Sequence, residues 1–455
     1  MSQVVLIMSV VLYILFFFLM VYLCILADPA ESTLSRLLTE DIPNGILKLL
    51  ERCIGPKVGD SASRMSNYLC YEPNPVLQIV YLIIVLGSWS IMFTYGYILM
   101  PEYLKWHKYS GYVLFVLCMW SWRKTCNAPP GFITARSLAK YDNYPYDEVL
   151  FSARICPTAN IRKLARSKYD RMSKAHIARF DHFCAWINQP VGEDNYRYFL
   201  TFLFVHVFMC WYGAIITALI FMNEVQEKDL LNVTFIDSRT GELMKATKFI
   251  VFQFMLARYM PLAAILLLMS VMAVMLTGFL GFHVYLISKG MTTNEYYKWS
   301  QIKQWHKESK KKYAQALKHG KAGPPHDPTS SGTSFQGPFV SASTKHQNHT
   351  VATTPVGNAK INVPEKVLAD VDVGCTGGAS PANDEPSKED RKSEKNQQED
   401  LVQDPGPLPN HLYDLGFVQN VREVFFPRSL RPPGQRKWNK FGYTGINAKE
   451  KTKTH

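Results

Sequence analysis

Uncharged apolar stretches alternate with polar, basic segments over the first 290 residues of the chain. Val4–Leu26 carries no charge over 23 residues, enough to cross a hydrocarbon core of about 30 Å at about 1.5 Å per residue. Inside the apolar run 249–287, Pro261 can begin a new helix, so we expect an interfacial piece up to Met260 and a span after it. The predicted spans are Val4–Leu26, Val76–Met100, Tyr109–Trp122, Tyr196–Met222 and about 261–287.

Charge asymmetry between the loops predicts the orientation of these spans. Segment 123–179 carries twelve Lys or Arg residues, whereas loop 223–248 carries four against five acids. Because basic loops favour the cytosolic side, we expect the first segment in the cytosol and the second in the lumen, where Asn232-Val-Thr234 is a glycosylation acceptor by sequence. No basic segment precedes Val4, so the first span is interpreted as a retained anchor. Five spans then place the N-terminus in the lumen and the tail in the cytosol.

The last third of the chain is polar. Residues 290–321 include a Lys-rich stretch of helical length, and 322–407 are rich in Pro, Gly, Ser, Thr, Asp and Lys, with few large apolar side chains. Such a composition cannot bury enough apolar surface to offset its ordering entropy, so we expect a disordered linker. Apolar and aromatic residues return in 412–426. They predict a segment that docks on the membrane-proximal part, before a basic end that lies along the anionic cytosolic leaflet.

Composition narrows the class of protein. The chain has 455 residues, 47% of them hydrophobic, and a formal charge of +13 without a zinc finger or other nucleic-acid module. Nine scattered cysteines lack the paired spacing of a disulfide framework. We therefore expect an all-α membrane protein of about five transmembrane helices, with no nucleic-acid partner. Arg258 and His283 lie near span ends, where interfacial contacts are expected, and no charge at mid-depth marks a transport pathway.

One stretch between the third and fourth spans carries candidate chemistry. Asp181, His182 and Cys184 lie within four residues of one another. A thiol reacts as thiolate, and a neighbouring imidazole is the usual acceptor of its proton. A carboxylate can hold that imidazole in the right tautomer. The alternatives are a buried, inert thiol and a structural, hydrogen-bonded imidazole.

Several ordered motifs around this stretch carry a resemblance to a known family. They are Pro73-Asn-Pro75, Tyr144-Pro-Tyr-Asp147, Ala165-Arg-Ser-Lys168, the Asp181 stretch with Trp186 and Asn188, Asn195-Tyr-Arg-Tyr-Phe199, Thr292-Thr-Asn-Glu295, and Tyr413-Asp with Asn420. In this order and between these spans, they resemble the DHHC-type protein S-acyltransferases (palmitoyltransferases), and most the branch found in the endoplasmic reticulum of fungi. The resemblance covers most of the chain outside 322–407.

The resemblance implies an enzyme that takes an acyl chain from palmitoyl-CoA onto Cys184 as a thioester and passes it to cysteines of membrane proteins. His182 would be the base and Asp181 the residue that orients it. The supporting residues implied by the same motifs are Thr292, Thr293, Glu295 and Asn420. SNAREs with cysteines beside their transmembrane helix are the implied substrates, and the endoplasmic reticulum membrane is the implied location. A catalytically inactive membrane scaffold or escort protein is the alternative.

Spans and motifs together divide the chain into six parts. These are 1–122 with three helices and their loops, 123–195 as the cytosolic catalytic domain, 196–289 with two helices and the lumenal loop, 290–321 with the Thr-Thr-Asn-Glu motif and a basic helix, 322–407 as the linker, and 408–455 as the docking segment and basic tail. A fatty chain is stabilised by about 0.8 kcal/mol per methylene buried in lipid. The reactive thiol is therefore expected at the membrane face.

The chain departs from the family in its implied metal ligands. Aligned without gaps, one zinc set of the family falls on Cys156, Ala159, Tyr169 and His176, and the other on Asp170, Ser173, Phe183 and Pro190. A structural zinc site needs four nitrogen, sulfur or oxygen ligands. The first set keeps at most two ligands and the second keeps one. We therefore predict no metal, and no cofactor apart from acyl-CoA as substrate.

Overall fold

The structure is a computed structural model and describes residues 72–236, 241–324 and 401–438, with short pieces between residues 33 and 69. Three parts of the sequence prediction lie outside the described residues, namely the first span Val4–Leu26, residues 325–400 of the linker, and the basic end 439–455. What the sequence predicts for those segments stays a prediction.

Helices dominate the described part of the chain. From residue 72 onward the α-helices are α1 (Val76–Ile91), α2 (His107–Asn127), α3 (Leu138–Tyr141), α4 (Tyr196–Glu227), α5 (Lys248–Arg258), α6 (Met260–Ser288), α7 (Thr293–Lys318) and α8 (Phe417–Phe425). A π-helical turn, Met92–Gly96, extends α1, and 3-10 turns occupy Glu102–Leu104, Arg428–Leu430 and Pro433–Gln435. Among the described residues, three helices are long and apolar enough to cross a membrane: Val76–Gly96, Tyr196–Glu227 and Met260–Ser288. They indicate a membrane protein, and in length and composition they agree with three of the predicted spans.

The predicted third span lies within α2, which has 21 residues. Its aromatic and polar composition leaves it outside the three strongly apolar helices. Buried side chains nevertheless join it to the bundle, because Cys118 of α2 packs in one core cluster with Cys210 of α4 and Ala273 of α6. A hydrogen bond of 2.8 Å between the Tyr81 hydroxyl and the His206 imidazole joins α1 to α4. The four helices therefore form one packed bundle.

The boundary before the last span follows from Pro261. Helix α5 ends at Arg258, and α6 begins at Met260 with the proline in its first turn. Proline is tolerated there because its missing N–H would have no partner inside the helix. Tyr259, with φ −121° and ψ 41°, separates the two helices. A hairpin of β6 (Thr234–Ile236) and β7 (Leu243–Lys245) precedes them.

Two small antiparallel sheets lie between α2 and α4. Their strands are β1 (Phe132–Ile133), β2 (Lys168–Asp170), β3 (Ala175–Ile177), β4 (His182–Cys184) and β5 (Gln189–Val191). The first sheet has the order β1-β3-β2, and β4 with β5 makes a hairpin. The all-α expectation omitted these sheets, because strands of two or three residues are too short for an alternating pattern to appear in the sequence.

Gly192 allows the hairpin to approach the three-stranded sheet. A Cβ atom at this position would lie 2.6 Å from Cγ2 of Ile177 and 2.6 Å from the carbonyl oxygen of Pro130. Only glycine leaves room for such close backbone contact. The hairpin is therefore held against the rest of the domain directly after β5.

Residues 410–438 fold back onto the bundle and the domain between α2 and α4. Val424 of α8 lies in the core cluster that also contains Cys184, Trp122 and Phe199. The Tyr413 hydroxyl donates to the carbonyl of Pro145 at 2.9 Å. Residues 301–324 and 401–409 belong to a second compact unit, in which the His306 imidazole hydrogen-bonds the Gly406 carbonyl at 2.9 Å.

Candidate active site

The β4–β5 hairpin brings the three candidate residues together. Along a strand, side chains two residues apart share a face, so His182 and Cys184 of β4 lie side by side. Asp181 precedes them, and its backbone N–H donates to the Val191 carbonyl at 2.9 Å. Asn188 adopts φ 52° in the connecting turn, a left-handed conformation that asparagine tolerates better than most residues.

The three side chains form a relay. Nδ1 of His182 lies 2.7 Å from Oδ2 of Asp181, and the same imidazole is within hydrogen-bonding reach of the Cys184 thiol. Because Nδ1 is taken by the carboxylate, Nε2 is the nitrogen available to the thiol. A cysteine, an imidazole and an orienting carboxylate in this order are the elements of an activated sulfur nucleophile.

Charge in the relay is set by burial and by hydrogen bonds that oppose it. Burial disfavours the carboxylate of Asp181, but the hydrogen bond and charge of His182, with further contributions from His283 and Thr293, lower its pKa to about 2. Burial likewise disfavours the imidazolium of His182, yet its bonds to Asp181 and Cys184 raise its pKa to about 10. The relay therefore places a positively charged imidazole beside the Cys184 sulfur.

Two further hydrogen bonds hold Asp181 from the start of α7. The Thr293 backbone N–H donates to Oδ1 at 2.7 Å, and the Thr293 hydroxyl donates to Oδ2 at 2.8 Å. Asp181 is 3% exposed. Each donor therefore replaces a hydrogen bond to water that the carboxylate loses on burial. Thr293 therefore contacts the relay directly.

Thr292 and Glu295 form a capping box at the same helix start. The Thr292 hydroxyl accepts from the Glu295 N–H at 3.2 Å, and a Glu295 carboxylate oxygen accepts from the Thr292 N–H at 2.9 Å. This reciprocal pair satisfies two N–H groups that a helix N-terminus leaves unpaired. The motif thus fixes where α7 begins, and with it the position of Thr293.

Arg166 completes the support of Glu295, and sequence reasoning did not single it out within its motif. Its Nε and Nη2 atoms each lie 2.6 Å from a Glu295 carboxylate oxygen, and Nη2 also donates to the Gly290 carbonyl at 2.8 Å. The guanidinium lies over the rings of Tyr144 and Tyr413, at 5.1 and 4.6 Å from their centroids. Burial disfavours the carboxylate, but the Arg166 charge lowers the pKa of Glu295. The only sequence signal for Arg166 was its place inside Ala165–Lys168.

Asn420 ties α8 to the end of α6. Its amide nitrogen donates to the Ser288 carbonyl at 3.3 Å and to Asp414 at 2.8 Å, and its oxygen accepts from the Leu415 N–H at 3.0 Å. The side chain is 2% exposed. Every polar atom of this buried amide is therefore paired, as burial requires.

The amide side chains of Gln189 and Gln78 connect the hairpin to the helices. The sequence did not predict either role. The Gln189 amide donates to the carbonyls of Thr125 and Ala128 at the end of α2, the second at 3.1 Å. Gln78 of α1 donates to the Ile187 carbonyl at 3.2 Å. The relay therefore lies at the end of the apolar bundle, next to the first turns of α1 and α4.

The residues in the first implied zinc set do not fit a metal. Tyr169 and His176 face each other across β2 and β3, and their rings make an edge-to-face contact at 5.4 Å. Cys156 is buried, and the two nitrogens of His176 have no hydrogen-bond partner among the described residues. Ala159 contributes no donor atom, so two ligands at most remain, where structural zinc takes four.

The second set fits no better. Oδ2 of Asp170 already accepts from the Ser173 N–H at 2.8 Å and from its hydroxyl at 2.6 Å. Phe183 and Pro190 face each other across the hairpin and have no side-chain donor. Within the part of the chain that the structure describes, no group of three or more His, Cys, Asp or Glu side chains is placed to hold a metal ion.

A thiol, an imidazole and a carboxylate thus meet at the end of an apolar helical bundle. In a comparison with known families, residues 150–300 match the DHHC palmitoyltransferase model. The matched stretch contains the relay, the capping box and two of the apolar helices. Over this stretch the chain is similar to the DHHC palmitoyltransferases.

Several curated proteins similar to this chain are named palmitoyltransferases. The chain is 31% identical over 220 residues to palmitoyltransferase ZDHHC4 of Mus musculus, covering 48% of this chain and 61% of that protein. It is 26% identical over 273 residues to palmitoyltransferase swf1 of Schizosaccharomyces pombe, covering 59% and 72%. For palmitoyltransferase SWF1 of Neurospora crassa the identity is 27% over 278 residues, covering 59% and 64%. The match thus spans between 61% and 72% of the length of these relatives.

Proposed function

We propose that the chain is a protein S-acyltransferase that moves a palmitoyl group from acyl-CoA, through a thioester on Cys184, to cysteines of membrane proteins. The single observation that carries the proposal is the His182 imidazole, which contacts the Asp181 carboxylate at 2.7 Å and lies within hydrogen-bonding reach of the Cys184 thiol. The family match over residues 150–300 supports the same chemistry.

In the first half-reaction His182 takes the proton of Cys184. The Cys184 thiolate attacks the thioester carbonyl carbon of acyl-CoA, and a new carbon–sulfur bond forms. The bond to the coenzyme sulfur then breaks, and the leaving thiolate takes the proton from the His182 imidazolium. The products are acylated Cys184, neutral His182 and free coenzyme A thiol.

In the second half-reaction neutral His182 takes the proton of a thiol on the acceptor protein. The resulting thiolate attacks the acyl carbonyl, and Cys184 leaves as a thiolate beside the restored imidazolium. Asp181 holds Nδ1 in both halves, so Nε2 always faces the reacting sulfur. After one cycle His182 and Cys184 have regained their starting protonation, and neither step requires an additional cofactor.

Membrane proteins are the proposed substrates. An acyl chain is stabilised by about 0.8 kcal/mol per methylene in lipid, and the relay lies at the end of three helices apolar enough to span a bilayer. Cysteines next to a transmembrane helix, as in SNAREs, meet that chain at the membrane face. We place the protein in the endoplasmic reticulum with five spans, the relay and tail in the cytosol and the N-terminus in the lumen. The basic segment 123–179 supports this orientation.

The domain around the relay is proposed to be held together without zinc. The edge-to-face contact of Tyr169 with His176 and the hydrogen bonds of Ser173 to Asp170 occupy positions where the family places ligands. Metal analysis of purified protein tests this directly. More than about 0.2 zinc per chain, with one metal per site as the reference, would contradict it.

Acyl labelling tests the transferase activity. Purified protein incubated with a clickable palmitoyl-CoA should form a hydroxylamine-sensitive adduct that disappears in Cys184→Ser. Cys126→Ser is the matched control, because Cys126 is a half-buried thiol close enough to Cys184 to interact with it electrostatically. An adduct that persists in Cys184→Ser, or no adduct in wild type, would leave a scaffold or escort protein as the better description.

A further inference from the structure

A second buried imidazole lies next to the relay. His283 of α6 is 0% exposed, and its ring centroid lies 6.0 Å from that of His182. The expectation of an interfacial contact for His283 was wrong, because its Nδ1 hydrogen-bonds the Tyr196 hydroxyl at 2.9 Å inside the protein. Its Nε2 has no hydrogen-bond partner among the described residues. The half-reactions described above use neither residue.

Burying the polar Tyr196–His283 pair is energetically unfavourable unless the pair contributes something besides packing. A polar imidazole inside a membrane-spanning helix is unfavourable, and an apolar residue of similar size would pack against the same neighbours. Those neighbours are aromatic, since the rings of Phe279 and Phe199 lie edge-on to His283 at 4.6 and 5.1 Å. A phenylalanine at position 283 would suit this environment better than the histidine does. The pair therefore calls for an explanation other than packing.

The surroundings of His182 supply that explanation. Phe199 contacts His182 edge-on at 5.1 Å and contacts His283 at the same distance. Tyr196, in the first turn of α4, stacks on Phe199 at 6.3 Å while its hydroxyl holds His283. Asp181 is also close enough to be influenced electrostatically by His283. The rings of Phe199 and His283 thus lie next to the His182 imidazole, and Tyr196 contacts both of them.

We propose that Tyr196 and His283 are positioning residues. Their hydrogen bond holds the rings of His283 and Phe199, here called the aromatic wall, against His182. The wall keeps Nδ1 of His182 on Asp181 and Nε2 toward Cys184. The inference rests on the proposed function for its importance in acyl transfer, but the wall can be tested on the thiol alone. An imidazole is free to rotate about its bond to Cβ, and a rotated ring would break both contacts of the relay. The wall prevents this rotation without touching the reacting atoms.

Amide substitutions separate the two nitrogens of His283. His283→Asn keeps a polar atom near the Nδ1 position and can hold the Tyr196 hydroxyl, whereas His283→Gln places its polar atoms near Nε2. With palmitoyl-CoA we expect His283→Gln and Tyr196→Phe to slow acylation of Cys184 about tenfold at saturating donor, with little change in KM. His283→Asn should stay close to wild type. The double variant Tyr196→Phe/His283→Gln should be no slower than either single variant, because both remove the same bond.

The Tyr81–His206 pair is the matched control. It is another buried tyrosine–histidine hydrogen bond between bundle helices, at 2.8 Å, and the ring neighbours of His206 are Tyr81 and Phe202 rather than His182. Tyr81→Phe and His206→Gln should lower the melting temperature in detergent without the tenfold loss in rate. Equal rate losses in both pairs would mean that the Tyr196–His283 bond is only structural, and the proposal would be wrong.

Iodoacetamide alkylation of Cys184 is the second readout, and it requires no acyl donor. The titratable groups near the thiol are His182, Asp181, His283 and Cys126. If the wall holds His182, Tyr196→Phe and His283→Gln should shift the alkylation profile to higher pH, and His283→Asn should not. An unshifted profile overturns the positioning role even where acylation is intact. A shifted profile without any acyl adduct in wild type would keep the positioning role and refute the transferase.

Discussion

At the scale of single residues, the charges of Asp181 and His182 depend on two opposing effects, burial and hydrogen bonding, and hydrogen bonding is the larger. Burial disfavours charge on both Asp181 and His182, but a hydrogen bond of 2.7 Å between them outweighs it. The result is an ion pair with the negative charge on Asp181 and the positive charge facing Cys184. Single substitutions should therefore separate charge effects from packing effects.

The pH dependence of stability tests this ion pair. The pKa of His182 is raised from 6.5 to about 10, so its contribution is complete below the unfolded value and is lost as pH rises through the folded value. We expect the melting-temperature advantage of wild type over His182→Gln to be full below pH 6.5 and to shrink as pH rises toward 10. Thermal melts across this range measure it. A difference that stays constant with pH would mean that His182 is neutral in the folded protein.

Thr293→Val tests the support of Asp181. The variant removes the hydroxyl bond of 2.8 Å but keeps the backbone bond of 2.7 Å. A hydrogen bond to a charged group contributes about 1.5–3 kcal/mol, so we expect acylation of Cys184 to slow by about tenfold or more. The adjacent Thr292→Ala is the comparison, because it leaves both bonds of Thr293 to Asp181 in place and removes a helix cap worth about 1 kcal/mol. If both variants lost rate equally, Thr293 would have no special relation to the relay.

At the scale of elements, buried polar pairs connect parts of the chain that are distant in sequence. Arg166 and Glu295 are separated by 129 residues, and their side chains are 3% and 1% exposed. This ion pair joins the segment before β2 to the first turn of α7. Through the capping box, the pair also places Thr293 against Asp181. A substitution at Arg166 should therefore disturb the relay.

Arg166→Leu should be strongly destabilising. It leaves the Glu295 carboxylate buried without its partner, at a cost of about 3–5 kcal/mol. Replacing both partners, as in Arg166→Leu/Glu295→Leu, should recover part of that loss, because no buried charge then remains. Denaturant titration in detergent measures the free energies of unfolding.

The exposed Arg162–Asp142 pair, also at 2.7 Å, provides the comparison for this element. Arg162→Gln should change the free energy of unfolding by less than about 1 kcal/mol, as exposed ion pairs do. A loss at Arg166 no larger than that at Arg162 would show that the buried pair is not the joint between these elements.

At the scale of the whole molecule, the segment around α8 belongs to the site. Val424 shares a core cluster with Cys184, and Asn420 pairs with the carbonyl of Ser288 across 132 residues of chain. The Arg179 guanidinium donates to the Glu423 carbonyl at 3.0 Å, which links the same helix to the residue before Phe180 and Asp181. Loss of the docked tail should therefore loosen the relay.

Asn420→Ala tests this coupling. The substitution leaves the Ser288 carbonyl, the Asp414 carboxylate and the Leu415 N–H without their partner, at a cost of about 1–3 kcal/mol. We expect faster proteolysis within 410–438 and slower acylation of Cys184, measured on the same preparation. Val418→Ala is the control on the same helix, because Val418 is 80% exposed. Faster proteolysis with unchanged acylation would separate the tail from the chemistry.

Much of this architecture was predictable, and the exceptions have physical reasons. The three strongly apolar helices were evident from sequence, because length and hydropathy alone identify them. The short strands were not, since two or three residues show no period. His283 was misread as interfacial because its position near the end of a span suggested contact with water or headgroups. Nothing in the local pattern indicated the tyrosine hydroxyl that it meets.

The sequence by itself determined the three strongly apolar helices and that Asp181, His182 and Cys184 lie together, because both properties depend on neighbours along the chain. The tertiary structure decided what completes the site. Thr293 reaches Asp181 across 112 residues, and Tyr196 reaches His283 across 87. Contacts over such separations depend on how the helices and the hairpin pack, and one linear pattern of apolar and polar residues is compatible with many packings.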